Sequence, residues 1–244
     1  MCGVRKNVWF LLLTMLIVFC SGFGNLDLPV EPDAPATDTR RSPPKDPPEG
    51  ASGNLPTFFG KKLVSENDTI IYVVDISGSM WGDPKLYTGF DGDTREGYKI
   101  DRAKAELARS IFSLPPNFRF NVVAYDCITY MWEVQMQPAD EEHKASAVAW
   151  CMVLTPAGAT GTGPACVQAL VEKDNKLVVL LTDGDPNCAL GNKSEDREAH
   201  REVIKFANTQ RAIVNVFGIG AYAEFKKFCM DVASDNNGQY IDIP

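Results

Sequence analysis

The sequence predicts an α/β fold: a doubly wound, mostly parallel central sheet with helices on both faces and one antiparallel edge strand. Two short apolar runs, residues 70–74 and 177–181, contain no charge and have the composition of strands buried on both faces. Amphipathic helical stretches alternate with strand-like runs along the chain, which is typical of a parallel sheet covered by helices. We therefore expect a Rossmann-like arrangement.

The individual elements follow from hydrophobic periodicity and from breaker residues. The first helix, for example, has an apolar stripe of helical period and ends at Pro115 and Pro116. In chain order we predict strands at 70–74, 118–125, 129–134, 176–181, 213–219 and 239–243, and helices at 98–114, 141–154, 162–172, 194–210 and 221–233. The strand at 129–134 is the expected antiparallel edge strand. On the second helix the expected inward-facing residues are Ala145, Val148, Ala149 and Met152.

Residues 1–24 have the layout of a secretory signal peptide. Two basic residues precede an apolar run over residues 8–19, and small residues follow it. The run is short for a helix that spans a bilayer, and the alternatives are an uncleaved membrane anchor over residues 8–23 or a lipoprotein site at Cys20. All three predict export of the remaining chain, which would be secreted, periplasmic or anchored on the outer side of a membrane.

Residues 25–57 are predicted to form a disordered linker, and residues 58–244 are predicted to form one folded domain. The linker holds half of the 16 prolines and has almost nothing apolar to bury.

The chain carries a formal net charge of -8 without a long run of Lys or Arg, so a nucleic-acid partner is not expected. The glycine-rich stretch at 158–163 lacks the Lys of a phosphate-binding loop, which argues against a nucleotide.

Polar residues follow both buried strand runs, at the points where those strands end. Asp75, Ser77 and Ser79 follow the first run, and Asp183 follows the second. Thr160 lies between them, in a loop rich in Gly and Thr that precedes a predicted helix. Because parallel strands end at the same edge of a sheet, we expect these side chains to be neighbours. Their carboxylate and hydroxyl oxygens are suitable ligands for a hard cation.

This pattern of Asp-x-Ser-x-Ser, a distant Thr, and an Asp after a buried strand resembles the metal-ion-dependent adhesion site of von Willebrand factor type A (vWA) domains. The resemblance implies that Ser77, Ser79 and Thr160 supply hydroxyl oxygens to Mg²⁺, with Mn²⁺ or Ca²⁺ as alternatives. It implies that Asp75 and Asp183 act through bound waters. It also implies a protein partner whose Asp or Glu side chain completes the metal shell.

We therefore expect a binding module and not an enzyme. A metal-assisted hydrolase is one alternative, but no general base beyond the ligand carboxylates is evident in the sequence. The only two histidines, His143 and His200, are predicted to lie solvated on charged helix surfaces. A structural vWA module with an unused metal site is the other alternative.

Residues 81–98 form an insertion where many vWA domains pass almost directly into the first helix. The insertion leaves the same strand tip as the metal motif, so we expect it to lie beside the metal. Its aromatic residues Trp81, Tyr87 and Phe90 are predicted to form a rim that contacts the partner. The alternative is a solvated loop whose aromatic residues pack against the first helix.

Five cysteines lie beyond the leader, and export would permit disulfides among them. Cys127, Cys151, Cys166 and Cys188 are all expected in the half of the domain that holds the metal motif. We predict at least one disulfide among these four and prefer Cys127–Cys151 with Cys166–Cys188 among the three pairings. Cys229 shares an apolar helical stripe with its neighbours and is predicted to be a free core residue.

Overall fold

A computed structural model describes residues 55–190 and 197–244 of the chain. The predicted leader at 1–24, nearly all of the predicted linker at 25–57 and the predicted start of the helix at Ser194 lie outside these residues. None of the helices within the described ranges has the length and apolar character needed to span a membrane.

Strands and helices alternate along the described chain, as the sequence predicts. In chain order the elements are β1 (Thr57–Phe58), β2 (Lys61–Lys62), β3 (Thr69–Asp75), a 3-10 turn (Gly78–Trp81), β4 (Lys85–Thr88), β5 (Thr94–Gly97), α1 (Lys99–Ser113), β6 (Arg119–Tyr125), β7 (Thr129–Met131), β8 (Gln137–Pro138), α2 (Glu141–Met152), α3 (Thr162–Val171), β9 (Leu177–Thr182), α4 (Arg197–Ala207), β10 (Ile213–Ile219), α5 (Ala223–Asp235) and β11 (Tyr240–Ile243).

The central sheet has the predicted mostly parallel topology. Its strand order is β11-β10-β9-β3-β6-β7, with β8 also paired to β6. The pairs from β11 to β6 are parallel, whereas β7 and β8 run antiparallel to β6. The fold class is therefore confirmed, with a second antiparallel edge segment, β8, that was not predicted. At two residues, one of them Pro138, that segment carries no strand-like pattern to detect.

Side chains of the central strand β3 alternate between two apolar cores, one on each face of the sheet. Ile70, Tyr72 and Val74 belong to the core that includes α1 and α2. Ile71 and Val73 belong to the core that includes α3, α4 and α5. This burial on both faces explains why the run in the sequence is continuously apolar instead of alternating.

The second helix buries only part of the predicted stripe: Val148 is buried and Met152 packs against the core, partly buried. Ala147 and Val148 are buried together with Cys151, whereas Ala145 and Ala149 are exposed. Because α2 carries small or apolar residues on most of its sides, its periodicity does not select one face. Packing against α1 decides which face is buried.

His200 is fully buried, so the prediction that it is solvated was wrong. Its Nδ1 accepts a hydrogen bond from the Gly163 N–H at 2.9 Å, and its Nε2 donates to the Cys188 carbonyl oxygen at 2.9 Å. A Cβ atom on Gly163 would lie 2.9 Å from His200 Nδ1, so the glycine permits the close approach of α3 and α4. Sequence periodicity places His200 on a charged helix, but only this close approach buries it.

One disulfide joins Cys127 to Cys188, with their Cα atoms 5.6 Å apart. A disulfide among the four cysteines is therefore confirmed, but the preferred pairings were wrong, because Cys151 and Cys166 are buried free thiols. Cys151 lies in the core on one face of the sheet and Cys166 in the core on the other, whereas Cys127 and Cys188 meet between the loops after β6 and β9. Cys229 is free and buried, as predicted.

Reduction of this disulfide should lower the free energy of unfolding by about 2–4 kcal/mol, because the bond closes a loop of 61 residues in the unfolded chain. Urea unfolding of the wild type with and without reductant measures the effect. The Cys127→Ser/Cys188→Ser double variant is the control and should show no further loss in reductant. An equal loss in both proteins would mean that another thiol pair carries the effect.

Candidate metal centre

Two loops at the carboxyl end of β3 and before α3 are joined through their backbones. The Gly78 N–H donates to the Gly158 carbonyl oxygen at 3.0 Å, and the Ala157 N–H donates to the Ile76 carbonyl oxygen at 2.9 Å. A Cβ atom on Gly78 would lie 3.2 Å from the Gly158 oxygen, closer than nearly all real Cβ contacts. The glycine in the Asp-x-Ser-Gly-Ser motif therefore allows the two loops to meet.

Asp75 lies fully buried at the last position of β3. Its Oδ1 accepts from the Ser77 N–H at 2.8 Å, and its Oδ2 accepts from the Thr182 hydroxyl at 2.7 Å and, more weakly, from the Tyr125 hydroxyl at 3.4 Å. Burial, and then the charge of Asp183, raise the pKa of Asp75 from 3.8 to about 6. The hydrogen bonds hold the carboxylate toward the Ser77 loop.

Ser77, Ser79 and Asp183 continue this chain of hydrogen bonds. The two serine hydroxyls are 3.1 Å apart, and the Ser79 hydroxyl donates to Asp183 Oδ1 at 2.8 Å. Adjacent ligands of an octahedral Mg²⁺, each about 2.1 Å from the metal, are about 3 Å from one another. The spacing of the two hydroxyls therefore fits neighbouring positions in such a shell.

Thr160 is held in place by its backbone. Its N–H donates to Asn187 Oδ1 at 2.6 Å, and its carbonyl oxygen accepts from the N–H groups of Asn187 and Cys188 at 2.9 and 3.1 Å. Thr160 lines a cavity of about 150 Å³ together with Ser79 and Asp183. Asn187 was not predicted as a site residue, because nothing in the surrounding sequence distinguishes it from an ordinary loop residue.

The fold thus brings the five predicted metal residues to one edge of the sheet. The donor set consists entirely of hydroxyl and carboxylate oxygens, which are ligands of Mg²⁺ and other hard cations. In the two described ranges, no group of three or more His, Cys, Asp and Glu side chains is arranged to hold a metal. The residues present therefore fit a site that depends on hydroxyl ligands and not one that depends on thiolate or imidazole.

Lys99, the first residue of α1, is a charged member of this site that the sequence analysis did not identify. Its Nζ lies 2.8 Å from Asp183 Oδ2, and the two side chains are only 7% and 1% exposed. The sequence did offer a signal, because a lysine in the first turn opposes the helix dipole and needs a compensating partner. That partner is 84 residues away along the chain.

The insertion at 81–98 contains an unpredicted hairpin, β4–β5, that extends along α1. Arg109 holds its end through hydrogen bonds to the carbonyl oxygens of Thr88 and Gly89 at 2.8 and 3.2 Å. Arg109 is ten residues beyond Lys99, or about 15 Å along the helix axis. The hairpin therefore leads away from the Lys99 end of α1, where the candidate site lies, instead of remaining entirely beside that site.

The three predicted rim residues consequently have different positions. Trp81 is 47% exposed beside the site, where its Nε1–H donates to the Pro156 carbonyl oxygen at 3.0 Å. Tyr87 is half-buried on the hairpin, and Phe90 is 50% exposed in the hairpin turn. Tyr87 and Phe90 line a separate cavity against α1, which is the arrangement that the alternative interpretation described.

Two aromatic residues that were not predicted as rim residues line the cavity beside Ser79, Thr160 and Asp183. Tyr222 is 73% exposed at the start of α5, and Phe225 is half-buried on the first turn of that helix. Their rings meet edge to face with centroids 6.3 Å apart. Their distance along the chain from the metal motif is the reason that local analysis of the motif could not find them.

The described chain has the fold of solved vWA-domain structures. Among solved structures, the chain is similar to a von Willebrand factor type A protein from Catenulispora acidiphila, with 23% identity and a TM-score of 0.57 over 75% of this chain and 40% of that chain. It is also similar to the vWF domain of the type V pili tip protein Mfa5 from Porphyromonas gingivalis, with 13% identity and a TM-score of 0.52 over 74% and 91%. The pilus adhesin SpaC from Lactobacillus rhamnosus GG matches with 13% identity and a TM-score of 0.56 over 71% and 28%.

Among curated proteins, the chain is similar to inter-alpha-trypsin inhibitor heavy chain 4 of Mus musculus, with 28% identity over 193 residues. The human heavy chain H4 is 24% identical over 189 residues. These matches cover 74% and 71% of this chain but only 18% of each relative, so the chain spans about a fifth of their length. No protein-family model matches the chain. The likeness to the solved vWA structures is therefore a likeness of fold.

Asp75→Asn should stabilise the metal-free protein at neutral pH. The raised pKa of Asp75, about 6, means that the folded protein binds this proton more tightly than the unfolded chain does. The stability from this proton is therefore fully present below about pH 4 and is lost as the pH rises through about 6. Ionised Asp75 then costs on the order of 3 kcal/mol, which the isosteric amide avoids.

Urea unfolding in EDTA from pH 4 to pH 8 tests this expectation. The advantage of Asp75→Asn over the wild type should be near zero at pH 4 and largest above pH 7. Asp93→Asn, on the exposed hairpin turn, is a matched control that should follow the wild type. A constant difference between Asp75→Asn and the wild type across this pH range would contradict the assignment.

Proposed function

We propose that the protein is an extracytoplasmic binding module, not an enzyme, that uses a divalent cation to bind an Asp or Glu side chain of a protein partner. Mg²⁺ is the cation that the donor set suits best, with Mn²⁺ or Ca²⁺ as alternatives. The observation that carries the proposal is the continuous set of hydrogen bonds from Asp75 through Ser77 and Ser79 to Asp183.

In this proposal the side chains have separate tasks. Ser77, Ser79 and Thr160 contribute neutral hydroxyl oxygens, while Asp75 and Asp183 act through bound waters. The cation, when bound, supplies positive charge that neutral hydroxyls leave largely uncompensated, so that a partner carboxylate is attracted to it. Asp75 also orients the Ser77 loop, because its Oδ1 accepts the Ser77 N–H.

The surroundings of the site favour binding over hydrolysis. A hydrolase would need a general base at the cavity in addition to the ligand carboxylates. The further carboxylate that lines the cavity, Asp185, accepts a hydrogen bond from Arg197 Nε. His143 is bound to Asp140 on α2, and both ring nitrogens of His200 are engaged inside the domain.

The similar proteins support a role in protein interaction. SpaC is described as a pilus adhesin and Mfa5 as a pili tip protein. We extend to this chain only the general role of adhesion or protein binding, at an extracellular location. The Cys127–Cys188 disulfide supports export, because disulfides persist in oxidising compartments. Residues 1–24 would then act as a leader or as a membrane anchor.

Addition of Mg²⁺ or Mn²⁺ to the EDTA-treated protein should raise its Tm. A ligand at 100 times its Kd stabilises the folded state by about 2.7 kcal/mol. Ser79→Ala should remove most of this stabilisation, because it deletes a hydroxyl in the centre of the oxygen set. Ser113→Ala, at an exposed serine at the end of α1, is the control and should respond like the wild type. A Tm independent of the cations in every protein would favour a structural module with an unused site.

Trp81→Ala should weaken the binding of the protein partner by about 2 kcal/mol or more, because Trp81 is exposed beside the site. The affinity for Mg²⁺ should change little, because Trp81 is not among the predicted ligands. The partner can be recovered by a pulldown from the extracellular or envelope fraction with and without EDTA, and calorimetry in saturating Mg²⁺ then measures its affinity. Phe90→Ala is the control for a distant exposed aromatic. Equal weakening by Phe90→Ala would mean that the hairpin turn also contacts the partner.

A further inference from the structure

The buried ion pair between Lys99 and Asp183 brings a positive charge of the protein itself into the proposed metal site. Lys99 Nζ lies 2.8 Å from Asp183 Oδ2, while the other oxygen of the same carboxylate accepts from Ser79. Both partners of the pair are almost completely shielded from water. A buried ammonium is costly unless it is paired, so this lysine is held in the site by the carboxylate.

The backbone around Lys99 is shaped to admit its side chain. A Cβ atom on Gly220 would lie 3.0 Å from Lys99 Cε, and one on Gly82 would lie 3.8 Å from both Cε and Nζ. Gly220 has a φ of +60°, and the Gly82 carbonyl oxygen accepts the Lys99 N–H at 3.2 Å. The Lys99 side chain therefore passes between Gly82 and Gly220 to reach the site.

Other charged groups near Lys99 are already paired. Asp83, on the Gly220 side of the passage, contacts Lys85 at 2.9 Å and Arg102 at 3.1 Å. Asp185, which also lines the cavity, is paired with Arg197. Asp83 and Lys85 are close to solvent, so their charges are partly screened at the site, whereas Arg102 is only 7% exposed and is paired with Asp83. The charge balance of the buried site therefore depends on Asp75, Asp183 and Lys99.

The three buried groups have a simple charge balance. Two carboxylates and one ammonium leave one net negative charge in the metal-free site. A divalent cation would change this to one net positive charge, which a single carboxylate neutralises. Without Lys99 the loaded site would be neutral, and a carboxylate would make it negative. The lysine should therefore oppose the metal and favour the carboxylate.

We propose that Lys99 sets the charge of the site: its ammonium compensates Asp183 when no metal is bound, lowers the affinity for a divalent cation, and leaves the loaded site selective for a monoanionic carboxylate. This inference rests on the proposed function. Lys99 should weaken the binding of the cation and strengthen the binding of the carboxylate. These opposite effects distinguish the proposal from a role of Lys99 in folding alone. A merely structural lysine would, on removal, weaken the binding of the cation and of the carboxylate together.

The test compares the wild type with Lys99→Met, which keeps an unbranched apolar side chain and removes the charge, and with Lys85→Met as the matched control at an exposed lysine. Calorimetry with Mn²⁺ alone should show at least about a tenfold higher affinity for Lys99→Met than for the wild type. The Tm of Lys99→Met in EDTA should be lower than that of the wild type, because Asp183 loses its counter-charge. Lys85→Met should match the wild type in Mn²⁺ affinity.

The carboxylate effect is tested with acetate and its neutral isostere acetamide. Acetate, but not acetamide, should increase the apparent Mn²⁺ affinity of the wild type, and this increase should shrink in Lys99→Met. Equal responses to acetate in both proteins, or none in the wild type, would overturn the selectivity for a carboxylate.

The outcomes of the Mn²⁺ titration separate this inference from the proposed function. Unchanged or weaker Mn²⁺ binding by a folded Lys99→Met protein would overturn the inference while the proposed function stands. The absence of Mn²⁺ binding in the wild type and in both variants would overturn both. A variant with Lys99→Gln measures the same quantities if Lys99→Met does not fold.

Discussion

The site depends on the burial of two carboxylates, Asp75 and Asp183, at the ends of neighbouring strands β3 and β9. Two such charges close together are unfavourable in a protein interior, and the raised pKa of Asp75 reflects both the burial and the neighbouring charge. The surrounding contacts compensate this cost: hydroxyls and N–H groups donate to the carboxylate oxygens, and Lys99 supplies a positive charge. A divalent cation would add the compensation that these groups supply only in part.

The loops that carry the five predicted oxygen ligands are held by a small number of long-range contacts. Gly78 and Gly158 join the loop after β3 to the loop before α3, and Asn187 joins that second loop to the loop after β9. The Cys127–Cys188 disulfide adds a covalent link between the loops after β6 and β9. Each contact connects segments far apart in the chain, so the site should be organised by the fold before any ligand arrives.

The surface around the cavity combines a charged centre with exposed aromatic side chains. Trp81 and Tyr222 offer apolar area that a partner could cover, while the cavity between the loops is too small for more than a side chain or a small ion. Aromatic residues at interfaces commonly supply much of the binding energy, whereas a contact to a metal is shared by every carboxylate ligand. In the proposed function, specificity would therefore come from these neighbours more than from the cation.

The sequence by itself determined the helices, the six main strands of the parallel sheet and the five oxygen-bearing residues, because strand burial, helical period and the Asp-x-Ser-x-Ser spacing are local patterns. The tertiary structure alone decided the pairing of Cys127 with Cys188, the burial of His200, the path of the β4–β5 hairpin and the contact of Lys99 with Asp183. These depend on which loops leave the same edge of the sheet and which face of a helix meets its neighbour. Periodicity repeats along one element and carries no information about the distant segment that the element will contact.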